Sequence, residues 1–287
     1  MQAEIVSAKN SNGTLPGKPQ ALVSLTFDDA LPEHLDVAMP ILERHAMRGT
    51  FYVNVGSESF LGRQDEWAAA AARGHELGNH TVFHPGVSSK PWVTPGIALD
   101  TYSLDRMRLE LEVANRVLTA TDGQVERSFA FPCSNPWLGK PGWPRRTLER
   151  LGLHRTRIMG FVDRHGLDWG SQRVDYTSIV RQLFVAARCG GIEAGLLPTM
   201  PLDWHQIRGI EGDGKTQADL LESLETAVAR GAWINFVFHG VGGGHHMSVD
   251  STIFDGFLRC LALDERVAVD TFIGTVRALR RSGTSTQ

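Results

Sequence analysis

Short apolar runs alternate along the chain with longer segments in which apolar residues recur every three or four positions. Residues 21–27 (ALVSLTF) follow a Gly/Pro-rich lead and have the length and bounding of a buried strand, which runs directly into Asp28 and Asp29. Leu35, Met39, Leu42 and Ala46 then recur at helical spacing up to Gly49, where glycine is expected to end the helix, and residues 50–55 (TFYVNV) read as the next strand. Residues 64–73 are Ala-rich and helical in propensity, Gly74 stops them, and residues 75–79 form a third strand before His80. Leu104, Met107, Leu111, Ala114 and Leu118 place one apolar stripe on a longer helix ending at Asp122-Gly123, followed by a strand over 128–131 that Pro132 stops. Residues 133–144 lack periodicity and read as a surface loop, beyond which the pattern weakens. It returns at Leu220, Leu221, Leu224, Ala227 and Val228, a helix closed by Gly231. Residues 233–238 (WINFVF) are then a strand that delivers His239 into a glycine-rich loop, and a last helix and strand precede residues 271–281. This alternation, without linker or repeat, predicts one parallel α/β domain over 21–287, preferably a barrel, with residues 1–20 as an N-terminal extension.

Composition narrows the function classes. The 287 residues include 29 basic and 32 acidic side chains for a net charge of -3, with no Lys/Arg run of five, so there is no electrostatic footprint for nucleic acid or anionic lipid. No stretch approaches the roughly 18 apolar residues of a membrane span. The polar start carries no leader pattern, and both a cytoplasmic protein and a secreted one whose leader has been removed remain open. Three scattered cysteines exclude a disulfide framework, although one bridge is allowed. Oligomeric state is not legible.

Three polar clusters directly follow expected strands: Asp28-Asp29, His80 with His84, and His239. In α/β barrels the loops after strand C-termini form the active face, so these clusters are expected to converge. Two histidines four residues apart share one face of a helical turn and can chelate a metal, and a carboxylate from elsewhere completes a His-His-Asp set with an open position for water. Singly, each cluster has a blander explanation as a turn, a surface pair or a satisfied core histidine. Together, residues 25–29 (LTFDD) and 78–85 (GNHTVFHP) resemble the first two motifs of the polysaccharide deacetylases, carbohydrate esterase family 4, also called the NodB-homology fold.

The resemblance implies a distorted (β/α) barrel and a metal-dependent hydrolase that removes N-acetyl or O-acetyl groups from a carbohydrate. It implies Asp28 as catalytic base, Asp29, His80 and His84 as ligands of a divalent metal (zinc first, with cobalt, nickel or manganese as options), and His239 as general acid. Two departures stand out. The third family motif, R-x-P-Y, is matched by Ala130-Phe131-Pro132-Cys133, so its arginine is missing while the Cys133 backbone N–H can still serve an oxyanion. Arg188, in residues 184–191 (FVAARCGG), is a candidate replacement cation. The Asp-Trp element expected to support the acid histidine, and to offer an apolar wall to a sugar, has two candidates, Asp168-Trp169 and Asp203-Trp204. His245 and His246 are assigned to solvent or substrate contact, residues 240–244 to a mobile loop, and Cys133 and Cys189 to burial as small apolar side chains. Two other readings remain open: an amidohydrolase of a small cyclic amide, imide or ureide on the same fold, and an inactive carbohydrate-binding relative that has lost the arginine.

Overall fold

The structure is a computed structural model and describes residues 20–94, 96–153, 156–165, 167–190, 196–197 and 203–284. The expected extension therefore lies, except for Gln20, outside the described residues. Seven parallel strands close into a barrel: β1 (Ala21–Asp28), β2 (Thr50–Val53), β3 (Glu76–Asn79), β4 (Ser128–Ala130), β5 (Ala186–Gly190), β6 (Ile207–Glu211) and β7 (Trp233–Phe238). They neighbour one another in that order, and the β1–β7 pairing, from Leu22↔Trp233 to Phe27↔Phe238, closes the ring. An eighth strand, β8 (Val267–Val269), runs beside the start of β1, whose end pairs with β2. The two residues Leu196–Leu197 add an antiparallel flank to β7.

The alternation inside β1 explains the layering. Val23, Leu25 and Phe27 join Phe51, Ile234, Phe236 and Phe238 in the main hydrophobic cluster outside the barrel, covered by α4 (Gln217–Arg230) and α5 (Ser251–Leu263) through Leu224, Phe254, Phe257 and Leu258. Ser24, Thr26 and Asp28 therefore face the lumen, where every polar atom needs a partner. Thr26 donates to the Phe236 carbonyl at 2.7 Å, and the Trp233 indole donates to Ser24 at 3.2 Å. Strand polarity is thus reversed relative to an oil-filled barrel: apolar side chains look out to the helices and polar ones look in.

The chain departs from its sequence reading in three places. The helix after β1 begins as a π-helical turn (His34–Ala38), continues as α1 (Met39–Arg44) and ends at a left-handed Ala46, φ 56°, well before Gly49. Gly49 instead lets the Phe27 ring pass close, since a Cβ there would meet it at 2.9 Å. Residues 133–144 are not wholly loop, because Trp137–Leu138 pairs with Val174–Asp175 and a helix begins at Trp143. Residues 240–244 are not free either: Gly240–Val241 pairs with Ser248–Val249. The remaining elements sit close to expectation, including α2 (Gln64–Ala72) before a left-handed Gly74 and α3 (Leu104–Asp122) before a left-handed Gly123.

Inside the barrel Gly78 of β3 lies in register with Tyr52, and a Cβ on it would collide with the Tyr52 ring. Gly78→Ala should therefore lower unfolding stability in urea by about 1–3 kcal/mol, the cost of overpacking; an unchanged midpoint would mean the lumen yields at no cost.

Candidate active site

β1 ends on Asp28, and the chain leaves it through two left-handed residues, Asp29 at φ 80° and Ala30 at φ 49°. Of the seven non-glycine residues with positive φ among the described residues, six lie here: Asp29, Ala30, Thr81, His84, Cys133 and Ser134. Such conformations cost of order 1–3 kcal/mol each and persist where surrounding contacts over-determine them. In the loop after β3, Asn79 accepts the Thr81 N–H at 2.7 Å and the Thr81 hydroxyl accepts the His84 N–H at 2.9 Å. His80 and His84 are therefore presented by an irregular turn with two left-handed residues, not by the helical turn their spacing suggests.

That turn delivers both imidazoles to Asp29. The Nε2 atoms of His84 and His80 lie 3.4 and 3.6 Å from Asp29 Oδ1. Asp29 Oδ1 is buried with no hydrogen-bond partner. His80 Nδ1 lies 2.8 Å from the Ala130 carbonyl, to which it donates, which fixes the tautomer and leaves the Nε2 lone pair facing Asp29. Burial, ahead of the neighbouring charges, pushes His80 down to about 4, so the ring is in the neutral form that coordinates metal. Donors about 2.0–2.1 Å from a tetrahedral zinc lie roughly 3.3–3.4 Å apart, close to the observed separations. The orphaned carboxylate oxygen, the fixed tautomer and the two-nitrogen, one-oxygen donor set all fit a zinc-type ion.

Asp28 points the other way, into the lumen, and is paired there with Arg188 of β5, whose Nη2 donates to both carboxylate oxygens. β1 and β5 are not neighbours in the ring, so this pair spans the barrel. Burial alone would raise the Asp28 pKa, but Arg188 first, then His80 and His239, hold it well below the usual carboxylate range. Arg188 also lies 5.0 Å above the Tyr52 ring, which supports its guanidinium. The β4–β5 register sets Ala130 opposite Arg188. The cation missing at Ala130 is thus present one strand over, projecting into the same lumen.

His239 follows β7. Asp213, in the loop after β6, accepts both the His239 N–H at 3.0 Å and the Nδ1–H at 2.6 Å, leaving Nε2 directed away from Asp213. Burial opposes protonation, yet the Asp213 hydrogen bond and the Asp28 charge raise His239 to about 9. Behind it, buried His34 of the π-helical turn lies 2.7 Å from the His239 carbonyl through Nε2, and burial holds His34 neutral at about 4, so it donates there.

Neither expected Asp-Trp pair supports His239. Asp203 pairs with Arg181 at 2.5 Å, and Trp204 packs with Trp233 and Leu22, residues that open their strands, at the end of the barrel opposite the site. Asp168 sits between Arg145 and Arg173 at 3.6 and 3.8 Å, and Trp169 is exposed against Trp143. The supporting residue is Asp213, which the sequence reading missed although it follows a strand as Asp28, His80 and His239 do. Cys133, left-handed in a short turn, is exposed as a residue rather than buried, and Cys189 is half-buried. Desolvation, then Asp29 and Asp28, push the Cys133 thiol up to about 11, away from the thiolate form. The N–H groups of Ser134 and Asn135 bond the Phe131 and Pro132 carbonyls, whereas the Cys133 N–H has no recorded acceptor among the described residues. All three cysteines are free, and the His245 ring stacks on His239 at 5.3 Å without joining the ligand set.

Residues 16–152 match the polysaccharide deacetylase family. The match spans 137 of the 287 residues, a little under half of the chain. No curated protein matches it by sequence. Among solved structures it is similar to a candidate polysaccharide deacetylase from Mycobacterium smegmatis, with TM-score 0.57 and 13% identity over 94% of this chain and 93% of that one. It is also similar to a deacetylase solved with substrate, with TM-score 0.50 and 14% identity over 91% of each chain. A third likeness, with TM-score 0.50 and 17% identity over 91% of this chain and 69% of that one, is to a mutant family 4 pseudoenzyme with restored activity, whose wild type comes from Bacillus anthracis. At these identities the likenesses show the fold, the (β/α) barrel of the polysaccharide deacetylase type. No helix of the described residues is long and apolar enough to cross a membrane.

Replacing both His80 and His84 with alanine should abolish stoichiometric zinc binding measured by elemental analysis after dialysis. Unchanged metal content would remove these residues from the ligand set.

Proposed function

We propose that this chain is a metal-dependent hydrolase of an acylated amino sugar, cleaving the amide to a carboxylic acid and a free amine. The observation that carries this reading is the meeting, at the C-terminal ends of four barrel strands, of an ionised carboxylate, an orphaned Asp-His-His donor set and a carboxylate-held histidine. An ion of the zinc type held by Asp29, His80 and His84 would supply Lewis acidity toward a carbonyl and acidify the attacking water, so that even a weak base accepts its proton.

The remaining work falls to the chain's own groups. Asp28, kept ionised by Arg188, accepts the proton of the attacking water; because Arg188 grips both oxygens, the carboxylate is fixed in orientation before substrate arrives. The Cys133 N–H, in the turn after β4, is the candidate donor to the oxygen on which charge develops. His239, protonated below about pH 9 and held by Asp213, gives its proton to the departing amine. The carbohydrate part of the reading rests on the polysaccharide deacetylase match over residues 16–152, whereas the residues themselves support hydrolysis of an amide or ester. The reading of an inactive relative rested on Ala130; in favour of the hydrolase, the Asp28–Arg188 pair supplies a buried cation beside the carboxylate.

Asp28→Asn should retain stoichiometric metal while losing turnover by about 10²–10⁴-fold, the usual contribution of a positioned base. Parental rates of amine release would show that Asp28 is not the base. Asp213→Asn should move the alkaline limb of the kcat/KM profile downward. The sign follows from Asp213 stabilising the imidazolium: its loss lowers the His239 pKa from about 9 toward the ordinary histidine value, and a bound cation acts in the same direction. A limb that stays in place would assign the titration to another group.

A further inference from the structure

On the His84 side of the ligand set lies a cavity of about 210 Å³, with Asp29 and His84 at one end and Asn54, Phe83, Trp92 and Ile97 among its walls. Phe83 and Trp92 are about half exposed, at 54% and 50%, an unusual state for two large apolar rings beside a polar centre. The cavity is also built: the Trp92 ring sits 5.6 Å from His84 and packs close over residue 86 because that residue is glycine, where a Cβ would meet the ring at 2.6 Å. Asn54 Oδ1 is buried without a partner, so its amide has hydrogen-bonding capacity unspent.

The cavity has a definite side. Its lining includes Asp29 and His84 but neither His239 nor Asp213. The leaving amine must lie against His239, which protonates it, so the other substituent of the scissile carbonyl, the acyl chain, is directed to the opposite side, where the cavity opens. A water occupies about 30 Å³ of liquid, so the cavity holds roughly seven, and an acetyl methyl, about one water in size, would leave most of it wet against two aromatic rings.

We propose that this cavity is an acyl-chain pocket and that the substrate carries an N-acyl group longer than acetyl, a short fatty acyl chain of about four to six carbons. The inference rests on the hydrolase reading above. The step is ordinary hydrolysis: the water oxygen bonds to the acyl carbon, the C–N bond breaks, one water proton passes to Asp28 and the His239 proton goes to the amine, releasing a butyrate-class acid and an amino sugar. Phe83, Trp92 and Ile97 are the residues that set chain length, and Asn54 meets a polar group of the substrate at the rim.

The test is a series of N-acetyl, N-propionyl, N-butyryl and N-hexanoyl glucosamine oligosaccharides assayed for amine release with zinc-loaded protein, beside saturation-transfer NMR of hexanamide. kcat/KM should rise about fourfold per methylene up to butyryl, the ~0.8 kcal/mol of a buried CH₂, and Trp92→Ala should collapse the butyryl-to-acetyl ratio toward one. The hexanamide chain protons should receive saturation from the parent and lose it in Trp92→Ala. Acetyl as the best substrate, with longer chains refused, would overturn the acyl pocket and leave the hydrolase reading standing. No amine release from any member would overturn the hydrolase reading, and absent saturation transfer would overturn the pocket by itself.

Discussion

One ion pair organises this molecule: Asp28 and Arg188, both buried and joined across the lumen of a seven-stranded barrel. A buried carboxylate without a partner is costly, and removing one member of such a pair typically costs 3–5 kcal/mol. The pair therefore ties the register of β1 to that of β5 on the far side of the ring. It also explains the inverted polarity of the barrel: a cation inside requires acceptors inside, and the alternation of β1 supplies them while sending Phe27 and its neighbours outward to the helices. With Asp28 drawn inward, Asp29 is left at the strand end, where its left-handed backbone turns it toward His80 and His84. The two carboxylates are thus adjacent in the chain yet face opposite sides of one site.

The strain follows from the same arrangement. Asp29, Thr81, His84 and Cys133 pay for left-handed backbone where the side chains or N–H groups converge, and the Asn79 and Thr81 side chains hold the turn that makes this possible. Ordinary strand-to-helix connections would not bring one strand end and one irregular turn to a common point. His34, reaching from the π-helical turn to the His239 carbonyl, fixes that residue from behind as Asp213 fixes its ring from the side.

Much of this was legible in the sequence, and what was not has physical causes. Strong periodicity and glycine stops located β1, α2, α3, α4 and β7, and strand-end polar clusters pointed to Asp28, Asp29, His80, His84 and His239. Asp213 was hidden because β6 (IRGIE) is short and interrupted by Gly209, which gives way to the Val237 side chain and leaves no alternation to read. The partnership of Arg188 depends on strand register, a long-range property, so its position beside Ala130 could not be read from the sequence. The Asp-Trp pairs misled because dipeptide identity carries no information about which end of the barrel it occupies: Asp203-Trp204 is used at the opposite end and Asp168 in an arginine cluster. The helical spacing of His80 and His84 suggested a helix, and a side-chain-stapled turn reached the same juxtaposition.

The central claim is that Arg188 does from β5 what an arginine at position 130 would do from β4. The most direct measurement is the rate of amide hydrolysis by zinc-loaded Arg188→Ala, alone and combined with Ala130→Arg, on the best acyl-glucosamine substrate. The account predicts that the single variant loses at least about 10²-fold, as a base deprived of its orienting partner should, and that returning the arginine to its register neighbour recovers part of that loss. Hydrolysis by Arg188→Ala at the parental rate would contradict it.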